Sequence, residues 1–188
     1  MLLPFVKEGL EMGEMAFHTV DPKRREEHIH WLTSAGIDVA SQHDHGQIEV
    51  STWTETHLRK GLFDQDETLA FWGKVVSEAK SKGFPVVRFV TQMGWALETG
   101  IDVNELLEYE AKANESWFHQ DGPFNHVICV YDLRKFRGDV VVDVMRTHPL
   151  LIIGGVLHEN PFFVPPEEFL REVRKRRVTR TISSSTAV

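Results

Sequence analysis

The sequence predicts one three-layer α/β domain in which a mostly parallel sheet lies between helices. Short apolar runs alternate with longer helical segments along the chain, and this alternation is typical of βαβ units. The predicted strands are apolar at nearly every position, as in residues 86–90, 127–130 and 150–153, which indicates that both faces of the sheet are covered. Right-handed crossovers place helices on both faces. We therefore expect five or more mostly parallel strands.

Each predicted element is bounded by residues that start or stop regular structure. Gly13 can end the first helix, Asp21 can cap the second with Pro22 in its first turn, and Gly36 can end it. Asp64 can cap another helix. The predicted strands span residues 15–20, 47–52, 85–91, 125–131 and 150–153. The predicted helices span residues 4–12, 21–35, 64–82, 102–118 and 133–146, and a last helix begins at residue 167.

Composition bounds the class of protein. The chain has 188 residues, a net charge of −7 and one cysteine, Cys129. No apolar run reaches the roughly 18 residues of a membrane helix, and the start of the chain does not resemble a signal peptide. We therefore expect a cytoplasmic protein without a membrane partner. The acidic balance argues against a surface that coats nucleic acid, which would be contacted only through a partner.

Positive charge is concentrated near the carboxyl terminus. Residues 171–180, REVRKRRVTR, contain six Lys or Arg and one acidic residue, and the residues after them are rich in Ser and Thr. The sequence therefore predicts a domain over residues 1–170 and a basic, disordered tail over residues 171–188. The tail is interpreted as a solvated segment, or alternatively as a contact for nucleic acid or an acidic partner.

The chain lacks the motifs of several enzyme classes. It has no G-x-x-x-x-G-K-[ST] or G-x-G-x-x-G loop for phosphates and no G-x-S-x-G turn for a nucleophilic serine. The segment GLEMGE at residues 9–14 has no lysine and contains acidic residues that would repel phosphate. Cys129 lies within an apolar strand, which favours a buried thiol over a nucleophile. These absences favour a protein that is not an enzyme and needs no cofactor.

Histidines offer an alternative, metal-dependent site. His43 and His45 flank Asp44, and His57 follows downstream. Imidazole and carboxylate groups can bind zinc or iron, but the H-x-H spacing supplies two ligands and specifies no third. We therefore predict that the main function of the protein does not depend on a metal site. His148 precedes an apolar strand and is interpreted as a hydrogen-bonded core imidazole.

Aromatic and polar residues follow the predicted strands. Trp53 and Glu55 follow the second strand, Gln92 and Trp95 follow the third, and Tyr131 ends the fourth. Open α/β sheets bind ligands beyond the carboxyl ends of their strands, so we expect these five side chains to line a ligand site. Aromatic walls with few charges suit a small, largely apolar molecule. The alternative is that the two tryptophans are core residues packed under loops.

The predicted helix 102–118 has two polar residues on an apolar stripe. The stripe is formed by Val103, Leu107, Glu110, Asn114 and Trp117. A buried polar side chain without a partner costs about 1–3 kcal/mol. We therefore expect the carboxylate and the amide to be paired inside the protein, the alternative being that they face a cavity.

Several segments, in order along most of the chain, resemble one known family. The most specific are MRTHPLLIIGG at 145–155 and ENPFFVPPEEFL at 159–170. The other matching segments are LLPFVKEGLEMGE at 2–14, AGIDVA at 35–40, GQIEV at 46–50, MGWAL at 93–97, ELLEYEAKANE at 105–115 and VICVYDLRKF at 127–136. On these segments the chain resembles the DcmR-type sensory domain of methanogens and methylotrophs, the MEDS domain.

The resemblance implies a RecA-like, KaiC-like fold without a phosphate loop. It further implies a non-catalytic sensor of hydrocarbon derivatives, as in a repressor that responds to dichloromethane, attached to signalling modules. Gln92 lies where a RecA-like ATPase commonly carries an acidic metal-coordinating residue, and an amide has no charge to hold Mg²⁺. The alternatives are a KaiC-like nucleotide-binding protein or ATPase, a metal-dependent enzyme at His43 and His45, and a protein-binding scaffold.

Two departures from the family pattern concern partners. Family members usually have a strand upstream of the part that matches Leu2, and residues 171–188 are too few for an output module. An exposed sheet edge tends to be paired or covered, so we expect a homo-oligomer that signals through assembly or a separate signalling protein. The predicted helix 133–146 and residues 162–164 are the candidate contacts.

Overall fold

The computed structural model describes residues 2–118 and 124–185. The strands are β1 (Met15–Val20), β2 (Ile48–Thr52), β3 (Val87–Gln92), β4 (His126–Val130), β5 (Leu150–Ile153) and β6 (Val156–Glu159). The helices are α1 (Leu2–Glu11), α2 (Arg25–Ser34), α3 (Val39–Asp44), α4 (Gln65–Ser81), α5 (Trp95–Thr99), α6 (Val103–Phe118), α7 (Gly138–Thr147) and α8 (Pro166–Ser185), and a 3₁₀ turn (Pro22–Arg24) precedes α2. No helix in these two stretches is both long and apolar enough to span a membrane.

Four strands form a parallel sheet flanked by helices, in the order β2-β1-β3-β4. Thr19 of β1 lies opposite Ser51 of β2 on one side and Thr91 of β3 on the other. The chain adds β2 to one side of β1 and then returns to add β3 to the other side. The strand order therefore reverses between β1 and β3. The predicted α/β class with a mostly parallel sheet is confirmed.

The two faces of this sheet bury different kinds of side chain. On one face, aliphatic residues of the strands pack with α1, α2 and α3. The buried residues of this cluster, from the strands, the helices and the segment between α2 and α3, are Val6, Ala16, Val20, Leu32, Ile37, Val39, Ile48, Val50 and Val90. The other face is aromatic, because the ring of Phe17 lies 5.6 Å from that of Trp72 in α4 and 5.9 Å from that of Phe89 in β3. Alternate residues of a strand point to opposite faces, so Thr19 shares the aromatic face and His18 does not.

A buried ion pair holds α1 against β3. Nε of Arg88 donates to the carboxylate of Glu14, and both side chains are almost fully buried. Nη1 of the same arginine donates to the carbonyl oxygen of Phe5 at 2.7 Å. Gly9 provides the space, since a Cβ at this position would lie 2.5 Å from Cδ of Arg88. Gly9 and Glu14 therefore have structural roles, because Gly9 leaves space for the side chain of Arg88 and Glu14 pairs with its charge.

The chain divides into two compact units, residues 1–99 with 121–132 and residues 100–120 with 133–188. The parallel sheet belongs to the first unit. The second unit contains α6, α7, α8 and the strands β5 and β6, and Phe169 of α8 is fully buried. α7 begins later than predicted, because Arg137 is still extended before it.

The assignment of residues 150–153 to the parallel sheet is wrong. These residues form β5, which pairs antiparallel with β6 so that Ile153 lies opposite Val156. Gly154 and Gly155 connect the strands with φ angles of 58° and 83°. Two successive residues with positive φ make a tight turn whose twist matches a hairpin. The Gly-Gly pair is thus a hairpin signal, and its interpretation as only the end of a strand is wrong.

The polar residues of α6 are paired, as expected. Nδ2 of Asn114 donates to the carbonyl oxygen of Thr147. Glu110 is buried, and its Oε2 lies 3.5 Å from Nε2 of His148. Nδ1 of that histidine makes a 2.9 Å hydrogen bond with the carbonyl oxygen of Val144, so the interpretation as a hydrogen-bonded imidazole holds. The side chain of Trp117 lies outside the described residues.

The basic segment near the carboxyl terminus is helical as far as Ser185. Arg176 forms an ion pair with Asp143 of α7 at 2.6 Å, and Arg177 forms one with Glu108 of α6 at 2.9 Å. Two basic side chains of residues 171–180 are thus paired with carboxylates of the second unit, and the described part of the expected disordered tail is helical. The division at residue 170 stays a prediction, although α8 runs across it, and residues 186–188 lie outside the described part.

Candidate functional site

The carboxyl ends of the four parallel strands lead directly into the predicted site residues. β2 continues into Trp53 and Glu55, β3 ends at Gln92 shortly before α5 begins at Trp95, and Tyr131 follows β4. All of them belong to the first compact unit. The strand order reverses between β1 and β3, and in open α/β sheets ligands bind beyond the strand ends at such a point.

Gln92 joins the two strands between which the order reverses. Its side-chain oxygen accepts a hydrogen bond from the backbone N–H of Asp21, the residue that follows β1, at 3.1 Å. The carboxylate of Asp21 accepts from the backbone N–H of Lys23 and so begins the 3₁₀ turn. Within the described residues the Nε2 group of Gln92 makes no hydrogen bond. It is therefore a donor that a ligand beyond the strand ends could use.

Trp53 begins a long loop over residues 53–63 between β2 and α4. Its backbone N–H donates to the carbonyl oxygen of Val20, at the end of β1, at 3.1 Å. Its ring packs on Gly94, where a Cβ would lie 3.2 Å from Cζ3 of the indole. The absence of a side chain at residue 94 therefore allows the indole to lie against the connection from β3 to α5.

Trp95 is the most enclosed of the predicted site residues, with an exposed fraction of 0%. The ring of His57 stacks on it, with the centroids 4.6 Å apart and an angle of 21° between the planes, and the ring of Phe63 lies 4.5 Å away. Burial lowers the pKa of His57 from 6.5 to about 3, so this imidazole is neutral. Trp53 is also buried. Both tryptophans are thus buried, as the alternative interpretation expected, and their role in lining a ligand site stays a prediction.

Glu55 and Tyr131 follow the two outer strands of the parallel sheet, β2 and β4. One carboxylate oxygen of Glu55 accepts from the backbone N–H of Thr52 at 2.7 Å and from its hydroxyl at 2.8 Å. These two hydrogen bonds lower the pKa of Glu55. Tyr131 is partly buried. The prediction that Glu55 and Gln92 are polar contacts of a ligand stays a prediction.

Thr19 was not among the predicted site residues, yet its position is unusual. Its Oγ1 is buried and has no hydrogen-bond partner among the described residues. It lies one residue before the end of β1, on the face that carries Phe17. Most buried hydroxyl groups in proteins are hydrogen-bonded. The sequence could reveal this only as a threonine near the end of an apolar strand, which is also a common structural pattern.

The family to which this chain belongs follows from comparison with known proteins. The family model of the MEthanogen/methylotroph, DcmR Sensory domain matches residues 1–149. The chain belongs to the MEDS family. A relative of this MEDS domain is the transcriptional repressor DcmR of Methylorubrum extorquens, which is 24% identical over 146 residues. The match covers 78% of this chain and 51% of the repressor, so the chain spans about half the length of that relative.

These comparisons agree with the resemblance seen in the sequence, and the family model shows a sensory domain of the MEDS type. No solved structure matches the chain significantly. The α/β architecture is therefore based on the observed parallel sheet, and the RecA-like fold is a proposal.

The alternative histidine cluster does not assemble in this MEDS domain. Nδ1 of His43 lies 3.3 Å from the carbonyl oxygen of Ile48, and Nδ1 of His45 lies 2.6 Å from that of Ser41. His57 packs instead on Trp95. Within the described residues, no three ligand atoms of His43, Asp44, His45 and His57 lie within 4.8 Å of one another. These residues therefore do not form the metal centre that their spacing allowed.

A second histidine pair lies on the aliphatic face of the sheet. Nδ1 of His18 and Nε2 of His28 are 2.7 Å apart, so one ring nitrogen donates a hydrogen bond and the other accepts it. Burial, together with the neighbouring His28, lowers the pKa of His18 from 6.5 to about 3. Nε2 of His18 is buried and has no hydrogen-bond partner in the described part of the chain. The pair is therefore neutral and linked at physiological pH.

Proposed function

We propose that this MEDS domain is a non-catalytic sensor that binds a small, largely apolar molecule, a hydrocarbon derivative, at the carboxyl ends of β1 and β3. The observation that carries the proposal is the hydroxyl of Thr19, which is buried one residue before the end of β1 and has no hydrogen-bond partner among the described residues. Family membership supports a sensory role. The proposal also includes a RecA-like, KaiC-like topology for the first unit, which the reversal of strand order supports.

The chemistry of the site suits an uncharged guest. The indoles of Trp53 and Trp95 and the ring of His57 are buried in the segments that follow β2 and β3, and the imidazole is neutral because of its low pKa. The carboxylate of Glu55 is already bound to Thr52. A ligand would thus meet apolar walls, with hydrogen-bonding groups offered by a hydroxyl and an amide.

The same region is unsuited to a nucleotide. In phosphate-binding α/β proteins, glycine-rich backbone after a strand approaches the phosphates at the start of a helix. Here Asp21 and Pro22 follow β1, and Gln92 offers a neutral amide at the end of β3, where a RecA-like ATPase commonly carries an acidic metal ligand. An anion would meet a carboxylate and a residue without an N–H. The second candidate is a KaiC-like nucleotide-binding protein. The strand order of the sheet supports it, and the residues at the strand ends do not.

Binding requires the loop over residues 53–63 to move, because its side chains enclose Trp95. A ligand that takes the place of His57 or Phe63 against this indole would shift the loop, and the loop leads directly into α4. Longer loops of this kind commonly act as lids over binding sites. We propose that the shift is passed to a signalling partner or to an assembly of chains. A cytoplasmic location stays a prediction.

The proposal is tested by identifying what the protein binds. Small molecules released from the purified protein by heat are separated by gas chromatography and identified by mass spectrometry, with a Thr19→Val variant purified in parallel. The proposal expects a defined uncharged, mainly apolar compound that is reduced in the variant. Isothermal titration with Mg-ATP tests the alternative. Heat of binding would support a nucleotide-binding protein and would contradict the sensory proposal.

A further inference from the structure

We infer that the ligand of the proposed site carries a neutral oxygen atom, which the hydroxyl groups of Thr19 and Thr91 hold together. The inference rests on the proposed function, because it assigns a chemical class to the ligand of that same site. It also makes Thr91 a second residue that determines specificity. The two residues are called the threonine pair below.

The threonine pair lies at one level of the parallel sheet, on neighbouring strands. Thr19 of β1 is directly opposite Thr91 of β3. Two residues earlier on the same strands, Phe17 is opposite Phe89, and their rings are 5.9 Å apart. Side chains alternate between the faces along a strand, and neighbouring strands lie about 4.8 Å apart. Both threonine side chains therefore point to the aromatic face, side by side.

The hydroxyl of Thr19 has no partner, although Thr91 is next to it. Thr19 has an exposed fraction of 0%, and its Oγ1 makes no hydrogen bond among the described residues. Thr91 is also buried, with an exposed fraction of 6%. The two hydroxyls therefore do not bond to each other. One oxygen atom between them can reach each hydroxyl at about 2.8 Å, and Thr19 would then be satisfied.

The other neighbour of Thr19 is already engaged in a hydrogen bond. Ser51 of β2 is opposite Thr19 on the side away from β3. Its Oγ donates to a carboxylate oxygen of Glu49 at 3.0 Å. Ser51 and Glu49 alternate onto the aromatic face, so an anionic ligand would meet a carboxylate there. Thr91 is therefore the neighbour that can share a ligand atom with Thr19, and that atom belongs to an uncharged group.

The surroundings of the threonine pair are apolar. Phe17 and Phe89 lie about 7 Å along the strands from the pair, on the same face. The ring of Trp72 in α4 lies 5.6 Å from that of Phe17 and 5.5 Å from that of Phe89. A short carbon chain would pack against these rings while its oxygen reaches the hydroxyls.

Hydroxyl groups at this position select for an oxygen on the ligand. An alcohol can donate to one threonine and accept from the other, and an aldehyde can accept from both. A haloalkane of the same shape offers only a weak acceptor. A site that hydrogen-bonds its ligand discriminates strongly against an analogue without the polar group, because the buried groups of the site then stay unpaired.

Matched alcohols, aldehydes and chloroalkanes of one to six carbons test the inference, because each set keeps the carbon chain and changes the head group. Binding to the full chain is followed by tryptophan fluorescence. For the chain length that binds best, the alcohol or the aldehyde should bind the wild-type protein at least about tenfold more tightly than the chloroalkane.

Two variants assign this preference to the threonine pair. Thr19→Val and Thr91→Val each remove one hydroxyl and keep the shape of the side chain. Each should abolish the preference for oxygen and leave the affinity for the chloroalkane at the wild-type value. The matched control is Ser51→Ala, which should keep the preference because the hydroxyl of Ser51 is already bonded to Glu49.

Urea unfolding separates ligand recognition from a structural role. Loss of a hydroxyl that has no partner should not lower the free energy of unfolding of Thr19→Val. A buried water that alone joins the pair would lower it and give no preference for oxygen, which would overturn the inference. A chloroalkane that binds the wild type as tightly as the alcohol and the aldehyde, or a preference that survives both valine variants, would overturn the inference and leave the sensory proposal standing. Absence of binding by every compound would overturn both.

Discussion

The backbone N–H of Asp21 donates a hydrogen bond to the side-chain oxygen of Gln92, and this bond spans the point at which the strand order of the sheet reverses. Gln92 thus fixes the ends of β1 and β3 relative to each other. In the same region the hydroxyl of Thr19 is buried without a partner among the described residues. The strand ends therefore combine one polar contact that supports the fold with polar groups that remain open to a guest.

Removing the acceptor at residue 92 should destabilise the domain. Gln92→Leu leaves the N–H of Asp21 without its partner, and the loss of one such hydrogen bond costs about 1–2 kcal/mol. Gln92→Glu keeps an oxygen acceptor and serves as the matched control, with a smaller loss. The free energy of unfolding is measured by urea titration. Equal losses in the two variants would show that this hydrogen bond does not matter.

A side chain at residue 94 should disturb the packing of Trp53. The Cβ of Gly94→Ala would lie 3.2 and 3.3 Å from two atoms of the indole, so the ring must shift, and overpacking of this kind costs about 1–3 kcal/mol. Gly73→Ala in α4 is the control, because a Cβ there meets nothing within 4 Å and alanine favours a helix. Thermal unfolding should show a lower Tm for the first variant and an equal or higher Tm for the second. If Gly94→Ala is as stable as the wild type, the indole does not lie where we describe it.

The ion pair between Arg88 and Glu14 should contribute strongly to stability. Glu14→Gln removes the buried charge that neutralises the guanidinium, and breaking a buried pair on one side costs about 3 kcal/mol. The control is Glu11→Gln, at an exposed position of α1. Guanidinium chloride unfolding should show a large loss only for the first variant. A small loss would mean that Glu8, which also contacts Arg88 at 3.0 Å, replaces the missing carboxylate.

Stability should fall as the pH falls below about 6.5. His18 and His57 have a pKa of about 3 in the folded protein and 6.5 as the ordinary value. Between these pH values the unfolded chain binds more protons than the folded one, so stability is complete above pH 6.5 and is lost towards pH 3. Each histidine contributes up to about 1.4 kcal/mol per pH unit.

The variant His57→Phe keeps a ring against Trp95 and removes one titrating group. The slope of the unfolding free energy against pH is measured from pH 6 to 4.5. The loss of one buried histidine should decrease this slope by up to about 1.4 kcal/mol per pH unit. His45→Gln, at an exposed position, should leave the slope unchanged. An unchanged slope in His57→Phe would show that this imidazole is not buried as a neutral group.

The parallel sheet could be predicted from the sequence because its determinants are local. Apolar runs such as that of β3, and N-caps such as Asp21 and Asp64, act within a few residues of where they stand. The hairpin was missed because Leu150–Ile153 has the same apolar pattern as a strand of a parallel sheet. Only the pairing of the strands, which Gly154 and Gly155 determine, distinguishes the two.

The candidate site could be predicted only in part, because it depends on side-chain direction. The position of the strand ends follows from the order of the elements, and Gln92 does lie there. Whether Trp53 is exposed or buried depends on Gly94, and Trp95 is covered by His57 and Phe63 from a loop. Such long-range packing has no periodic signal in the sequence.

The most direct test of the sensory proposal is a titration followed by tryptophan fluorescence. Wild-type protein is titrated with a panel of short-chain alcohols, aldehydes and halogenated methanes, including dichloromethane, and compared with Thr19→Val and, as control, Thr33→Val. Thr33 is exposed and bonds to its own helix, whereas Thr19→Val removes a buried hydroxyl that has no partner among the described residues. We predict saturable binding of at least one compound, with an affinity reduced about tenfold only in Thr19→Val, as the loss of one hydrogen bond implies. Absence of binding across the panel, or equal affinity in all three proteins, would contradict a ligand site at the end of β1.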